Sequence, residues 1–374
     1  MSSSSRGRGG GGPKLPRDVT IEILKRLPAR SLLRFRCVCR SWRSTIDDPH
    51  FVALHSSHSP LDASNWYLVC VDWCDPDGRL CSLFPSESLA LHSRSEIEIP
   101  FVNPVNSYSV VGSCNGLICF SELSRDTPDE TIYVWNIFTR KHKAVRPSHP
   151  DLFFMENTPE GFGFDASSND YKIVRILYPD DEDDEDLVEV YSLSTDSWRS
   201  LECKVPAFCA LRPAVFLNGN LHWHLFEYED PREHGGCGSI LSFDLADEVF
   251  DEMYLPEEMF YKDSGDLTVN LAVLNDFLAV FIHFTDQLCY EPHSACSVWV
   301  MMEYGMPKSW TKLYSFEAHG QVTGFYGFTR DRKLLMEIDD EERVSRDPLT
   351  GQYANLPLSA HFDLVTVVES LHSL

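Results

Sequence analysis

The sequence predicts a mainly β protein that carries a small α-helical motif at its N-terminus. Apolar residues follow a helical period only within about the first fifty of the 374 residues. From residue 61 onward, short runs rich in β-branched and aromatic residues alternate with turn residues, a pattern typical of strands. A unit of about fifty residues recurs in this second part, which indicates a domain built of repeats.

Composition and charge limit the classes of protein to consider. Hydrophobic residues make up 43% of the chain, and no apolar run approaches the ~18–20 residues that span a bilayer. The net charge of −25 argues against nucleic acid as the main partner, because such binding needs a basic surface. Residues 1–55 carry eleven Lys/Arg and four Asp/Glu, about +7, so the remainder carries −32. A basic head on an acidic body predicts two surfaces with different partners.

The N-terminal tail and the cysteines favour a cytoplasmic or nuclear protein. Residues 1–13 are rich in Ser, Arg and Gly and have no apolar core of a signal peptide, so a disordered tail is expected. The twelve cysteines are scattered over a long chain without such a signal. Reduced thiols are therefore expected rather than a disulfide framework.

The first predicted helix covers residues 17–27. Pro16 suits a first helical turn, where its missing N–H costs nothing. Val19, Ile23 and Leu27 recur every four residues and form one apolar face. The proline that follows stops the helix, since it biases the preceding residue away from helical geometry.

Two further helices are predicted in residues 31–46. Ser31 can cap one that extends to Arg36, and another covers residues 39–46 and ends at an Asp-Asp-Pro turn. Three short helices bury little by themselves, yet this segment is rich in large apolar residues, so it needs a partner. From the residues alone, that partner is either another protein or the rest of the chain.

This segment resembles the F-box of plant F-box proteins over residues 14–55, without a gap. The motifs that carry the resemblance are LP at 15–16, EIL at 22–24, LP at 27–28, SLLRFR at 31–36 and VCRSW at 38–42. The resemblance implies that the helices bind a Skp-family adaptor, which joins cullin and RING subunits in an SCF-type ubiquitin ligase. The residues it implies for the adaptor interface or its support are Leu15, Pro16, Val19, Ile23, Leu24, Leu27, Pro28, Leu32, Leu33 and Val38. Phe35 and Trp42 are expected to hold the helices together.

One unit recurs through the rest of the chain: a strand, two to five turn residues, and a second apolar or aromatic strand. Its copies lie at residues 132–145, 188–201, 240–255 and 297–314, with a weaker copy at 343–357. Taking Trp135, Ser192, Asp244 and Met301 as equivalent points gives intervals of 57, 52 and 57 residues. A period near fifty with about four strands predicts the blades of a kelch-type β-propeller.

Residues 61–374 resemble the kelch-like F-box-associated domain that follows the F-box in many plant proteins. The double glycine of regular kelch repeats is missing from most units, and six or seven blades fit the length. A jelly roll or a sandwich is the structural alternative. The resemblance implies a domain that binds a target protein through residues we cannot name from the sequence. Residues 56–60 read as a polar linker, so we expect the two parts to fold separately.

Three further groups of residues are candidate sites. The acidic run at residues 180–186 predicts a solvated hairpin loop, or alternatively an acidic clamp for a basic target; a cation site is disfavoured, because calcium-loop spacing is absent. His222 and His224 share a strand face, but no third metal ligand has a useful spacing, so we expect ordinary blade residues. Cys37 and Cys39 are too close for a zinc knuckle.

These features together predict a non-catalytic substrate receptor. No nucleophile elbow, zinc-protease motif or phosphate loop is present in the sequence. Holding target lysines near a charged conjugating enzyme raises their effective concentration, so the receptor itself needs no catalytic residue and no cofactor. The alternatives are a propeller enzyme with a metal or radical centre, and an F-box scaffold that never joins a ligase.

Overall fold

A computed structural model of the chain describes most of the helical segment and of the β domain. The described residues are 15–72, 80–85, 94–103, 105–123, 130–148, 158–177, 187–203, 205, 214–225, 238–260, 266–285, 294–356, 358, 362–372 and 374. Within them, no helix is long and apolar enough to cross a membrane.

From residue 15, where the described part of the chain begins, four α-helices precede the first strand: α1 (Arg17–Leu24), α2 (Ala29–Phe35), α3 (Arg40–Ile46) and α4 (Pro49–His58). The three helices predicted from the sequence are present with shifted ends. Helix α1 is three residues shorter than predicted, and α2 begins directly behind Pro28 rather than at Ser31. Helix α3 is capped by Cys39, whose sulfur accepts the N–H of Trp42 at 3.5 Å.

Helix α4 was not predicted, because its first residues were read only as the end of α3. Asp48 accepts the N–H of His50 at 3.0 Å, and Pro49 occupies the first turn, so the same Asp-Pro pair also begins a helix. Residues 56–58 form the end of α4, and Ser59–Leu61 form a 3₁₀ turn. Residues 56–60 are therefore structured, where the sequence indicated a polar linker.

In the described part of the chain, the strands form six antiparallel sheets of four strands. Blade 1 contains β1 (Trp66–Asp72), β2 (Leu80–Pro85) and β3 (Ser95–Glu98). Blade 2 contains β4 (Ser107–Cys114), β5 (Leu117–Leu123), β6 (Glu130–Asn136) and β7 (Lys141–Val145). Blade 3 contains β8 (Glu160–Asp165), β9 (Asp170–Leu177), β10 (Leu187–Ser192) and β11 (Ser197–Leu201). Blade 4 contains β12 (Val215–Leu217), β13 (Asn220–Leu225), β14 (Ser239–Asp244) and β15 (Phe250–Tyr254). Blade 5 contains β16 (Asp266–Leu274), β17 (Phe277–Thr285), β18 (Ser294–Met301) and β19 (Trp310–Glu317). Blade 6 contains β20 (Val322–Phe328), β21 (Leu334–Ile338), β22 (Glu342–Arg346) and β23 (Tyr353–Asn355).

Strand β24 (Phe362–Val368) closes the ring by completing blade 1. It pairs antiparallel with β1, with Trp66 opposite Val368 and Asp72 opposite Phe362. The first strands of successive blades, β24, β4, β8, β12, β16 and β20, contact one another around the ring. The prediction of a β-propeller is confirmed with six blades, and neither a jelly roll nor a sandwich is formed.

Strand direction assigns each connection to one of two faces. Because the strands of a blade are antiparallel, the hairpins that join first to second and third to fourth strands lie at the same face. The C-terminal end of β24 and the start of β1 lie at this face too. The helices contact the chain there, since Ala29 at the start of α2 donates its N–H to the carboxylate of Glu369, directly after β24. We call this the helix-side face.

The predicted repeat coincides with the third strand of successive blades. Trp135 lies in β6, and the other three marks end β10, β14 and β18. A side-chain oxygen near this position often closes the next hairpin: Asn136 accepts the N–H groups of Phe138 and Thr139 at 2.9 and 3.0 Å. Asp244 and Asp347 make the corresponding pairs of hydrogen bonds in blades 4 and 6. The repeat is thus partly a recurring Asx turn.

The hydrophobic core runs without interruption from the helices into blades 1 and 2. A single cluster of contacting buried side chains includes Leu24, Ala29, Leu32, Ile46 and Phe51 from the helices. The same cluster includes Val69, Leu83, Phe120, Trp135 and Val367 from the blades. The helical segment therefore buries one apolar side against the propeller.

Candidate functional site

The side of the helices that faces away from the propeller exposes several large apolar residues. Leu15 is 62% exposed, Val19 43%, Ile23 47% and Val38 64%. Pro16 and Pro28 are also exposed, while Leu27 and Leu33 are half-buried. Apolar groups concentrated on so small a bundle are typical of a surface that binds another protein.

Two of the residues predicted for the adaptor interface lie on the opposite side. Leu24 is 2% exposed and Leu32 is fully buried, both within the cluster shared with the propeller. In this conformation, a partner on the outer surface would not touch them, so their part would be support. The helical period places Val19, Ile23 and Leu27 on one apolar face, but it does not reveal which residues of α1 meet the rest of the chain. The rings of Phe35 and Trp42 contact each other, with centroids 5.1 Å apart and planes tilted by 59°.

A basic groove of about 540 Å³ lies beside the exposed apolar residues. Its charge comes from arginines, and only part of it is neutralised: Arg36 pairs with Asp47 at 2.5 Å and Arg43 with the same carboxylate at 3.6 Å. The groove is lined by Leu33, Arg36, Cys37, Cys39, Arg40 and Arg43. A groove of this charge suits an acidic partner surface and would speed association with it.

The segment that follows β24 joins the helices to the propeller, and Glu369 is the residue that contacts both. One carboxylate oxygen accepts the N–H of Ala29 and the other accepts the hydroxyl of Tyr67 at 3.2 Å. Its carbonyl accepts the hydroxyl of Ser59 at 3.0 Å. Burial raises the pKa of Glu369, although these hydrogen bonds favour its charged form. We call residues 369–372 the clamp.

The rest of the clamp fits closely between blade 2 and α4. Asn136 donates its amide to the carbonyls of Ser370 and His372 at 3.3 and 2.9 Å. The imidazole of His372 lies 3.1 Å from the hydroxyl of Ser56 on α4. Gly116 has φ +81°, and a Cβ there would lie 2.4 Å from Ser370, so only glycine fits. The clamp thus fixes how the helices are oriented on the propeller.

Sequence reasoning missed the clamp because no local signal marks it. Glu369 and Ala29 are 340 residues apart in the chain. A single glutamate after a strand, read without a structure, is an ordinary surface residue.

A buried ionic cluster lies between blades 2 and 3. Arg175 is fully buried and its guanidinium contacts three carboxylates, those of Glu130, Glu160 and Glu189. Burial, and then the neighbouring Glu130, raise the pKa of Glu160 to about 8. One arginine does not neutralise three buried carboxylates, and this deficit of positive charge raises the pKa of Glu160.

The two histidines considered for a metal site lie on β13, where His222 is buried and His224 is half-buried. His222 lies 3.0 Å from the carbonyl of Val215 and 2.9 Å from the hydroxyl of Tyr304. Burial lowers the pKa of His222 and of His224 to about 4. Among the described residues, no group of three His, Cys, Asp or Glu is placed to hold a metal ion. The acidic run at residues 180–186 lies outside the described residues, as do residues 1–14.

Comparison with known protein families gives two matches that follow each other along the chain. Residues 13–54 match the F-box domain. Residues 77–347 match the F-box associated beta propeller domain. The first match covers the helices and the second covers most of the blades.

Similar proteins come from Arabidopsis thaliana. F-box protein At3g07870 is 27% identical over 94% of this chain and 89% of the relative. F-box/kelch-repeat protein At3g23880 is 29% identical over 80% of this chain and 79% of the relative. Among solved structures, the α-L-arabinanase of Penicillium chrysogenum is similar with a TM-score of 0.44 and 10% identity, over 69% of this chain and 83% of that one. That last likeness is too weak to indicate any activity.

Proposed function

The chain belongs to the F-box proteins that carry an associated β-propeller domain, and we propose that it is the substrate-recognition subunit of an SCF-type E3 ubiquitin ligase. In this role the helices bind a Skp-family adaptor and, through it, cullin and RING subunits. The propeller binds a target protein, whose lysines then receive ubiquitin. The chain acts as a non-catalytic receptor in the cytoplasm or the nucleus, without a cofactor.

The observation that carries the proposal is the outward apolar surface of the helices. Leu15, Val19, Ile23 and Val38 remain exposed although the same helices bury Leu24 and Leu32 against the propeller. Had the helices been only a cap on the β domain, their outer side would be expected to be polar. A second apolar side, next to a groove lined by arginines, favours a protein partner with an apolar patch and acidic residues.

The proposed mechanism depends on position rather than on chemistry at a residue. A propeller closed by β24 is a rigid support, and the clamp holds the helices on it in one orientation. A target bound to the propeller would be kept at a defined place relative to the adaptor. This placement would raise the effective concentration of target lysines at the conjugating enzyme. Such a mechanism needs no acid, base or nucleophile from this chain.

Reconstitution with purified subunits tests this function. The full chain is mixed with a Skp-family adaptor and a cullin–RING pair, and the complex is followed by size-exclusion chromatography. We expect one assembly that contains all four proteins, and loss of the assembly when Val19→Asp and Ile23→Asp are combined. The double variant should keep the β circular-dichroism signal of the wild type.

The control separates the scaffold alternative from the ligase function. An exposed charged change away from the helices, Leu313→Asp on β19, should leave assembly unchanged. If the chain binds the adaptor but never joins the cullin–RING pair, the ligase proposal is wrong and the scaffold function takes its place. If the adaptor itself does not bind, the outer surface of the helices has another partner.

A further inference from the structure

Large apolar side chains are exposed together at the helix-side ends of blades 4 and 5. The hairpin between β18 and β19 exposes Met302, Tyr304 and Met306 within five residues. Val249, on the equivalent hairpin of blade 4, is exposed as well. Exposed apolar residues that occur singly need no explanation, but a group of four on neighbouring hairpins marks an interaction site. We call these four residues the Met-Tyr patch.

The hairpin that carries most of the patch is held in one conformation. The hydroxyl of Ser309 accepts the N–H of Glu303 at 3.0 Å and lies 2.7 Å from the carbonyl of Met306. Gly305 turns the chain at φ +77°, and its N–H lies 3.2 Å from the sulfur of Met301. A surface that is ordered before binding loses little entropy when a partner docks.

Tyr304 joins the two blades into one surface. Its hydroxyl lies 2.9 Å from the imidazole of His222 on β13, and the two rings meet edge to face at 5.7 Å. His222 is fully buried, so the tyrosine is anchored at one end and presents the rest of its ring to solvent. An aromatic residue held in this way is the kind that carries binding energy at protein interfaces.

Acidic side chains surround the patch. Burial raises the pKa of Tyr304 to about 12, and the negative charges of Asp244 and Asp251 add to this shift. Glu303 is exposed on the same hairpin, and Asp247 is exposed on the hairpin of blade 4. Lys308 is the cation that the hairpin of blade 5 contributes. The rim is therefore negative and complements lysine or arginine.

The position of the patch leaves it accessible. The helices pack on blades 1 and 2, and in a ring of six blades these lie opposite blades 4 and 5. The patch lies at the ends of third-to-fourth hairpins, and so at the helix-side face. A protein bound there would be on the same side of the propeller as the adaptor surface.

We propose that the Met-Tyr patch binds a protein segment with aromatic or aliphatic anchors flanked by lysines or arginines. The anchors pack on Met302, Tyr304 and Met306, and the thioethers of the two methionines adapt to side chains of different shape. The flanking cations pair with the acidic rim. On the proposed function, which this inference deepens, the segment belongs to the target.

Selection from a displayed library of random peptides against the purified full chain tests the inference. We expect enriched peptides with an apolar anchor and neighbouring Lys or Arg. Their affinity, measured by fluorescence anisotropy, should fall by at least about tenfold in Tyr304→Ala/Met306→Ala. It should also fall when salt is raised from about 50 to about 300 mM, since the rim is screened. Asp247→Asn/Asp251→Asn should weaken binding and reduce that salt dependence.

Tyr254→Ala is the matched control, because Tyr254 is an exposed tyrosine at the other end of β15. It should bind the enriched peptides as the wild type does, and thermal unfolding should show that every variant is folded. The inference is overturned if no peptide is enriched, if the peptides are not basic, or if Tyr304→Ala/Met306→Ala binds them unchanged. Adaptor binding is measured on the same preparations. If the adaptor does not bind while the peptides bind as expected, the proposed function is wrong and the inference about the Met-Tyr patch still holds.

Discussion

At the scale of single residues, neighbours on one helix have opposite environments. Ile23 is exposed, whereas Leu24, the next residue, is buried against the propeller. Leu15 precedes α1 and has no part of the bundle to cover it. Truncation of the exposed Leu15 should therefore change binding, whereas truncation of the buried Leu24 should change stability.

Leu15→Ala combined with Pro16→Ala should weaken adaptor binding by about 2 kcal/mol, roughly thirtyfold, because Leu15 is an exposed anchor and Pro16 fixes how the chain enters α1. The free energy of unfolding should change by less than about 1 kcal/mol. Leu24→Ala is the contrasting control and should lower stability by about 2–5 kcal/mol through the cavity it leaves. On the full chain, titration calorimetry measures the adaptor affinity and chemical denaturation measures the free energy of unfolding. Equal adaptor affinity of the double variant and the wild type would disprove an adaptor site at Leu15.

Glu160 makes a second residue-scale prediction, about pH. Its pKa is raised from the ordinary 4.5 to about 8, so the folded state holds a proton that the unfolded state releases. The stability this contributes is complete below pH 4.5 and is lost as pH rises to about 8. Glu160→Gln mimics the protonated form and should therefore gain stability relative to the wild type between pH 5 and 9, on the order of 2 kcal/mol. Glu98→Gln, at an exposed position, should not gain stability over this pH range.

Urea denaturation at several pH values gives the comparison. The diagnostic quantity is the difference in unfolding free energy between Glu160→Gln and wild type, which should increase with pH. Parallel pH curves for the two proteins would show that Glu160 is charged in the folded state and that Arg175 compensates the cluster fully.

At the scale of elements, the clamp explains how a helical segment and a propeller act together. Glu369 accepts the first N–H of α2, which no residue within that helix could satisfy. Asn136, at the end of β6, donates its side-chain amide to the carbonyls of Ser370 and His372. One short segment thus serves a helix end, a hairpin of blade 2 and α4 at the same time.

Glu369→Ala should loosen the helices without affecting adaptor binding. The buried N–H of Ala29 would lose its acceptor, at a cost of about 1–3 kcal/mol. Hydrogen exchange should become faster in α2 and in residues 369–372, while the adaptor affinity stays unchanged, because Glu369 is buried away from the outer surface. Asp62→Ala removes a carboxylate that accepts hydrogen bonds from the nearby Ser64, and it serves as the control. Unchanged exchange in α2 would mean that apolar packing alone fixes the helices.

The parts of the fold that depend on local signals could be predicted from the sequence. Ser192 and Asp244 end third strands, and polar residues before a turn mark such positions in any β repeat. The blade count could not be fixed, because blade 1 combines β1 with β24 from the far end of the chain. Helix α4 was missed since Pro49 both follows one helix and starts the next. In the candidate site, Leu15 and Val38 could be chosen through the resemblance to the F-box, whereas the burial of Leu32 depends on distant strands of the propeller.

At the scale of the whole molecule, the shared core determines how the protein unfolds. Five helical side chains belong to the same buried cluster as Val69, Trp135 and Val367, which come from blades 1 and 2. Between α4 and β1 the chain forms two 3₁₀ turns, Ser59–Leu61 and Ala63–Asn65, without a loose linker. Separate folding, which the sequence indicated, would require each part to bury its own apolar surface.

We therefore expect the full chain to unfold in one cooperative transition and the propeller to be weakened when residues 15–58 are removed. Deletion would expose apolar groups of blades 1 and 2, each of which loses about 1.5–3 kcal/mol if it had been fully buried, and it would also leave Glu369 without Ala29. Differential scanning calorimetry should show a single peak for the full chain and a lower melting temperature for the deletion variant, which should also bind a hydrophobic dye. Removal of residues 1–13 is the control and should change neither. Two separate transitions in the full chain, or an unchanged melting temperature after deletion, would mean that the helices and the propeller fold independently and that the shared cluster contributes little.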